Sequence, residues 1–472
     1  MGKSFFNTKY LLSISMVSAL GGLLFGYDWV VIGGAKPFYE RFFEIANSPF
    51  LQGWTMSCAL IGCLLGAMIS GALSDKYGRK KLLIFSAFLF TLSAVGTGAT
   101  DHYNLFIFYR ILGGIGIGLA SNLSPMYIAE ISPGSLRGRF VSLNQLTIVI
   151  GILAAQIANW QIAEPVAAGA TDLEIVNSWN GQMGWRWMFW AETIPALLFF
   201  LLMYFVPESP RWLAQKGDSS KVRAILEKIG GKSYADSEFE NIQQALKSSA
   251  TSGSNISLLH PKMRNVLIIG IVLAAFQQWC GINVIFNYAD EIFKAAGYGV
   301  SDTLMNIVIT GSVNLVFTFA AIFTVDKLGR RVLMKIGAVS LMAIYLLIGA
   351  AYYMEVSGVL LLVLVVLAIA CYAMTLAPLT WVILSEIFPN KVRGAAMSVA
   401  TASLWISSFL LTYTFPILNS SFGASGTFWL YGIICGLGFV FIQAKLPETK
   451  GKSLEEIEEE LTGAEKPVLT KV

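Results

Sequence analysis

The sequence predicts an all-α membrane protein of twelve transmembrane helices in two six-helix bundles, with a small cytoplasmic helical segment between them. Three observations carry this. The 472 residues are 55% hydrophobic and only 13% charged, with mean hydropathy +0.64, whereas a soluble domain carries about 25% charged residues. Apolar runs such as Val359 to Ala373 and Val266 to Phe276 have no place in a water-facing fold. And the chain repeats itself. Asp75-Lys76-Tyr77-Gly78-Arg79 returns as Asp326-Lys327-Leu328-Gly329-Arg330, 251 residues later. Glu130-Ile131-Ser132-Pro133, closing on Leu136-Arg137-Gly138, returns as Glu386-Ile387-Phe388-Pro389, closing on Val392-Arg393-Gly394, 256 residues later. Two unrelated motifs repeating at nearly one offset mean a duplicated half.

Hydropathy places the spans at 9–34, 52–74, 81–100, 103–128, 139–162, 185–206, 263–293, 302–325, 332–354, 357–386, 393–418 and 425–446. A span needs about 20 residues, so the longer ones tilt, break or protrude. Gly114-Ile115-Gly116-Ile117-Gly118 allows close helix packing. With the N-terminus cytoplasmic, all of the 33 Lys and Arg except Lys36, Arg41, Arg186, Lys294 and Arg110 fall on the cytoplasmic side or at its edge. That asymmetry puts both termini inside. The division is then 1–207, an N-terminal bundle; 208–262, a cytoplasmic linker; 263–447, a C-terminal bundle; and 448–472, a cytoplasmic tail. The linker holds two amphipathic stretches, Ser220 to Ile229 and Glu238 to Lys247, around Gly230-Gly231. The outer loop 163–184 has an acidic pair, Asp172 and Glu174, and no strong structure signal. In the tail, Ser453 and Glu456 make a capping box for one short helix, and disorder is expected after 462.

Other classes are excluded or disfavoured. The basic residues are dispersed at helix ends, so the net charge of +4 does not point to nucleic acid. The five cysteines lie in apolar segments and read as buried small hydrophobes. The only histidines, His102 and His260, sit near span ends. No nucleophile–base set, metal cluster or Walker loop is present, against an enzyme or an ATP-driven pump. The apolar run after Lys9 outlasts a signal core, so no cleavable leader is expected.

Four further motifs complete the pattern: Gly71-Ala72-Leu73-Ser74-Asp75-Lys76-Tyr77-Gly78-Arg79-Lys80, Pro207-Glu208-Ser209-Pro210-Arg211-Trp212, Phe276-Gln277-Gln278 with Gly281-Ile282-Asn283, and Pro447-Glu448-Thr449-Lys450-Gly451. In order and spacing the chain resembles a sugar porter of the major facilitator superfamily along nearly its whole length. Within that family it is most similar to bacterial xylose/proton symporters and human facilitative glucose transporters. The resemblance implies the major facilitator fold and import of a pentose or hexose by alternating access. It implies no cofactor beyond the coupling proton, and a lipid bilayer, a sugar and a proton as partners of a monomer. Short tails and a first outer loop without a glycosylation sequon point to a bacterial inner membrane.

Asp28 and Arg110 are the costliest residues in the spans. An ionised side chain at mid-bilayer costs at least about 2.5 kcal/mol and is functional by default. At 1.5 Å per residue, Asp28 lies about 28 Å along the first span and Arg110 about 12 Å below the outer surface, so the two can meet. One reading is a static salt bridge. The other is a proton site, because a carboxylate that loses its arginine in an apolar setting takes up a proton. Proton-coupled members of the resembled family carry an Asp here opposite an Arg, whereas facilitative ones carry a neutral residue. Glu192 matches a Glu of the xylose symporters. Its readings are coupling, or a pair with a polar neighbour or helix end.

A sugar site needs amides, which donate and accept at once, and an aromatic face for the C–H side of the ring. Gln277, Gln278 and Asn283 surround Gly281, which permits local unwinding. Gln145, Asn314 and Trp381, the last just after Pro378, join them, and the resemblance makes all six sugar-contact positions. Phe25 and Tyr288 are further aromatic candidates. The alternative for the polar residues is interhelical hydrogen bonding, and for Trp381 core packing. Two positions depart from the family: Leu404 replaces an amide, and Asn287 the first of two tyrosines. Asp75, Arg79, Glu130, Arg137, Glu208 and Arg211, with Asp326, Arg330, Glu386, Arg393 and Glu448, recur at the same cytoplasmic ends. The family uses such motifs as a salt-bridge gate; positive-inside topology is the bland reading. A proton-independent uniporter and a sugar sensor on the same fold are the competing functions.

Overall fold

The structure is a computed structural model that describes residues 6–167, 169–251, 261–356, 358–388, 392–450, 452, 456–457 and 460–461. Ser453 of the expected tail cap lies outside the described residues. The chain is helical: α1 Thr8–Phe42, α2 Pro49–Tyr77, α3 Arg79–Ala99, α4 Tyr103–Ile131, α5 Arg137–Ile162, α6 Asp172–Asn177, α7 Trp185–Ala191, α8 Thr193–Met203, α9 Pro210–Gln215 and α10 Ser219–Thr251 come first. They are followed by α11 Pro261–Trp279, α12 Ile282–Asn287, α13 Ala289–Ala295, α14 Val300–Leu328, α15 Arg330–Tyr353, α16 Val359–Met374, α17 Leu376–Ile387 and α18 Arg393–Lys445. Among the described residues eleven stretches are long and apolar enough to span a membrane. The last holds a non-helical residue, Gly423 at φ 69°, so it comprises two spans joined without a loop.

Two units form. One gathers Met1–Val31, Ile61–Ala158 and Arg186–Asn255, the other Ile32–Leu60, Asn159–Trp185 and Ile256–Val472. In the first unit α2 and α4 meet backbone to backbone. Gly62 and Gly66 face Gly114 and Gly118, and a Cβ at Gly62, Gly66 or Gly118 would strike the neighbouring main chain. Two G-x-x-x-G stripes thus replace side-chain packing with direct helix contact. The linker helices belong to this unit. α10 bends at Gly231, φ 79°, so its second arm starts sooner than the pattern from Glu238 suggested. Leu213, Val222, Leu226, Ala235 and Ile242 bury against one another. Ile229 and Tyr234 then dock on Leu11, Ile128 and Phe140 at the ends of α1, α4 and α5. Burial pushes the Tyr234 phenol up to about 12.

One local expectation needs correction. In the outer loop 163–184, residues 171–184 are structured. Thr171 and Glu174 form a reciprocal capping box that starts α6, and the Thr171 N–H and hydroxyl hold the Glu174 carboxyl below its usual range. A π-helical turn, Asn180–Gly184, follows, and Asn180 exchanges two 2.8 Å hydrogen bonds with the Glu164 backbone. The first helix also runs on past residue 34. α1 continues through Pro37 to Phe42 and carries Lys36 as a buried residue of the helix.

Candidate functional site

The first unit brings three of the ionisable candidates together. Asp28 of α1 and Arg110 of α4 are 1% and 2% exposed. Arg110 Nη1 donates to Asp28 Oδ1, and Nη2 donates to the Asp28 carbonyl at 3.3 Å. The guanidinium also lies 5.6 Å from the Phe189 ring centroid. Asp28 Oδ2 accepts no hydrogen bond and faces Gly113, where a Cβ would come within 3.1 Å. Glu192 stands at the break between α7 and α8, 2% exposed, with Oε1 unbonded. It lies within electrostatic range of both Asp28 and Arg110, and of Tyr27. One guanidinium neutralises one carboxylate, and a second buried anion is disfavoured. The set thus holds one more acid than its single cation can neutralise. Phe25, half-buried, packs edge-on to Trp29 at 6.0 Å. Gln145 is exposed, whereas the neighbouring Asn144 is buried with Oδ1 unbonded.

The second unit holds the amides. α11 ends at Trp279, and Gly281 at φ 86° reverses the backbone before α12 begins, a conformation that glycine adopts without steric cost. The unwinding turns Asn283 back toward Gln278. Asn283 Nδ2 donates to Gln278 Oε1, Gln278 Nε2 to Gln277 Oε1 at 2.8 Å, and Gln277 Nε2 to the Tyr372 hydroxyl at 3.1 Å. Such a relay is mutually polarised, and a row of amides offers both donors and acceptors to a polyol. Gln277 and Gln278 are buried, as is Asn314 of α14. Trp381, 38% exposed, stands on α17 after a break at Thr375, φ −122° and ψ −85°. The break precedes Pro378 by three residues. Proline clashes with the carbonyl four residues back, that of Met374, and is itself tolerated in the first turn of the next helix. Tyr288 is enclosed: its hydroxyl donates to the Thr412 carbonyl at 2.7 Å and its ring lies 4.6 Å from Phe415. Asn287 is buried with Oδ1 unbonded, and Leu404 is buried.

The recurring charged motifs fold alike in both units. Arg79 donates to Asp75 at 3.2 Å and Glu130 at 3.0 Å, and Arg330 to Glu386 at 3.4 Å. Glu208 Oε1 accepts from the N–H groups of Arg79 and Lys80 at 3.0 and 3.1 Å. Glu448 accepts from those of Arg330 and Arg331 at 2.9 and 3.1 Å. Each glutamate thus caps the N-terminus of a helix that starts at a positive-φ glycine, Gly78 or Gly329, and a carboxylate is favoured there. Sequence reading took these acids as gate charges and missed the capping, because a cap 129 residues from its helix leaves no local signature. Arg137 and Arg393 bind the carbonyls of Ala129 and Phe388. Arg211 is exposed, and the Asp326 side chain lies outside the described residues. These contacts of the first copy lie within the first unit and those of the second copy within the second.

Spanning helices broken at polar residues, with buried ions and a buried amide row, define a multi-pass membrane transporter. The family model described as "Sugar (and other) transporter" matches residues 14–461. The chain belongs to that family, which comprises transporters and not enzymes. It is 39% identical over 485 residues to the D-xylose-proton symporter of Escherichia coli (strain K12), covering 96% of each chain. It is 40% identical over 450 residues to the arabinose-proton symporter of Bacillus subtilis (strain 168), covering 95% of this chain and 94% of the other. It is 39% identical over 464 residues to the glucose transport protein of Synechocystis sp. (strain ATCC 27184 / PCC 6803 / Kazusa), covering 96% and 97%. Among solved structures, the partially occluded inward-open conformation of the xylose transporter XylE from E. coli superposes with TM-score 0.82 at 38% identity, covering 94% of this chain and 100% of that one.

Proposed function

We propose that this chain imports a monosaccharide, pentose or hexose, together with a proton, by alternating access between the halves 1–207 and 263–447. The observation that carries the proton half of this reading is the buried Asp28–Arg110 pair with Glu192 beside it. The amide relay from Asn283 to Tyr372 supports the sugar half. In this reading Gln277, Gln278, Asn283, Asn314 and Trp381 contact sugar, the protein acts as a monomer in a bacterial inner membrane, and both termini are cytoplasmic. Its relatives' names, proton symporters for xylose and arabinose among them, are the comparison that favours symport over passive uniport. The test is uptake of labelled xylose, arabinose and glucose into proteoliposomes, with and without an imposed pH gradient. Accumulation driven by the gradient is expected. Equilibration alone, unaffected by pH, would leave a uniporter.

Arg79 and Arg330 also belong to this proposal, as parts of a cytoplasmic gate. Arg79→Gln or Arg330→Gln is expected to shift the population toward the inward-open state. Cysteine labelling from the cytoplasmic side should then quicken. No change in either variant would reduce these motifs to topology and local folding.

A further inference from the structure

The far end of α1 carries a second buried charge cluster that neither the proton nor the sugar reading uses. Lys36 is 1% exposed. Its ammonium donates to Glu291 Oε1 at 2.6 Å and Glu40 Oε2 at 3.1 Å, and lies 3.8 Å from Asp290 Oδ1. Glu40 is one turn further along α1. Asp290 and Glu291 open α13, the short helix that follows the second interruption at Tyr288, whose ring centroid lies 5.6 Å from the ammonium. From α2, Gln52 Nε2 reaches Glu40 Oε2 at 3.4 Å, and Lys294 of α13 lies within electrostatic range of Glu291. All these residues belong to one unit.

The charge count argues against a purely static brace. A buried ion pair repays its dehydration only when each charge is well matched. Here one buried ammonium serves three carboxylates. Asp290 Oδ1, Glu40 Oε1 and Glu291 Oε2 accept no hydrogen bond. The closed arrangement is therefore held together at its centre and repelled at its edges, and water would solvate every member once it opens. The backbone is arranged to permit opening. Gly33 lies against the carbonyls of Asn287 and Phe286, where an added Cβ would come within 3.1 and 3.2 Å. Pro37 cannot return a hydrogen bond to the Gly33 carbonyl, so α1 lacks a rung at Gly33-Gly34. Residues 286–287 close the six-residue α12, whose first turn carries Asn283.

We propose that Lys36, with Glu40, Asp290 and Glu291, is an ionic latch holding the end of α1 against α13, and that it opens once in each transport cycle. It links the segment bearing the amides to the helix bearing Asp28, two turns away at about 1.5 Å per residue. The proposal rests on the transport reading, with the Lys36 end facing outward. The test uses the full chain with its five native cysteines replaced by serine and a reporter introduced by Asn287→Cys. A membrane-impermeant maleimide is applied to intact cells, and the labelling rate is compared with and without Lys36→Met. Because that change strands three buried carboxylates, the charge-free Lys36→Met/Glu40→Gln/Asp290→Asn/Glu291→Gln chain is measured beside it. Both are expected to label at least about tenfold faster than the chain with Lys36, since the closed population falls when its central cation is lost. An unchanged rate in the folded charge-free chain overturns the latch. Sugar binding to the unaltered chain is measured in parallel. Its absence would count against the transport reading, while the labelling rates still decide whether the cluster holds α1 closed.

Discussion

Asp28→Asn is expected to bind sugar but no longer to concentrate it. The substitution mimics the protonated carboxyl permanently and removes the charge that Arg110 neutralises. The Arg110 guanidinium donates to Asp28 Oδ1 and to the backbone carbonyl of the same residue, so the two are paired in this structure. In the proposed cycle, separation of the pair would leave a dehydrated charge without its partner, and only the neutralised, loaded form would cross. With Asn at 28 that alternation is gone. Uptake driven by an imposed pH gradient should fall to equilibration, an accumulation ratio near one, while binding in detergent and sugar exchange persist. Gradient-driven accumulation by Asp28→Asn would remove Asp28 from the coupling role and make Glu192 the residue to substitute next.

Gln278→Ala is expected to weaken sugar binding by roughly 5- to 150-fold. Gln278 is the middle of the amide relay: it accepts from Asn283 and donates to Gln277. In the proposed site, truncating it would strip a partner from a dehydrated sugar hydroxyl, at about 1–3 kcal/mol, and leave two neighbouring amides to reorganise. Titration of the purified protein measures the loss, and an unchanged thermal midpoint separates lost contact from lost fold. Native affinity in Gln278→Ala would place the sugar elsewhere.

What could be read from the chain follows from where its polar residues fall. Asp28, Arg110 and the three amides stand out because each interrupts an apolar run, and such interruptions are expensive. Gly281 announces the break that positions Asn283. The break at Thr375 was harder to place, since proline disturbs the turn before itself. The capping box at Thr171 was legible in spacing, but its helix has only six residues and no periodicity to draw attention to it. The burial of Lys36 was hidden for a different reason. Its carboxylate partners on α13 lie 254 and 255 residues away, and hydropathy alone ends the span where Gly33-Gly34 dilutes the signal. The partners of Tyr288, the Phe415 ring and the Thr412 carbonyl, lie on another helix and leave no sign in the local sequence.

The carboxylate at 448 changes where the chain can be shortened. A C-terminal fusion or trimmed variant is usually planned from hydropathy, which would end the protein after the last apolar residue, near 446. Glu448 is bonded to the first two amides of α15, more than a hundred residues upstream. Deletion from 448 onward would thus fray a distant helix at its start, whereas a cut beyond 452 spares that attachment. The corresponding acid of the first copy, Glu208, sits at the entrance to the linker, so severing the chain just ahead of it would do the same to α3.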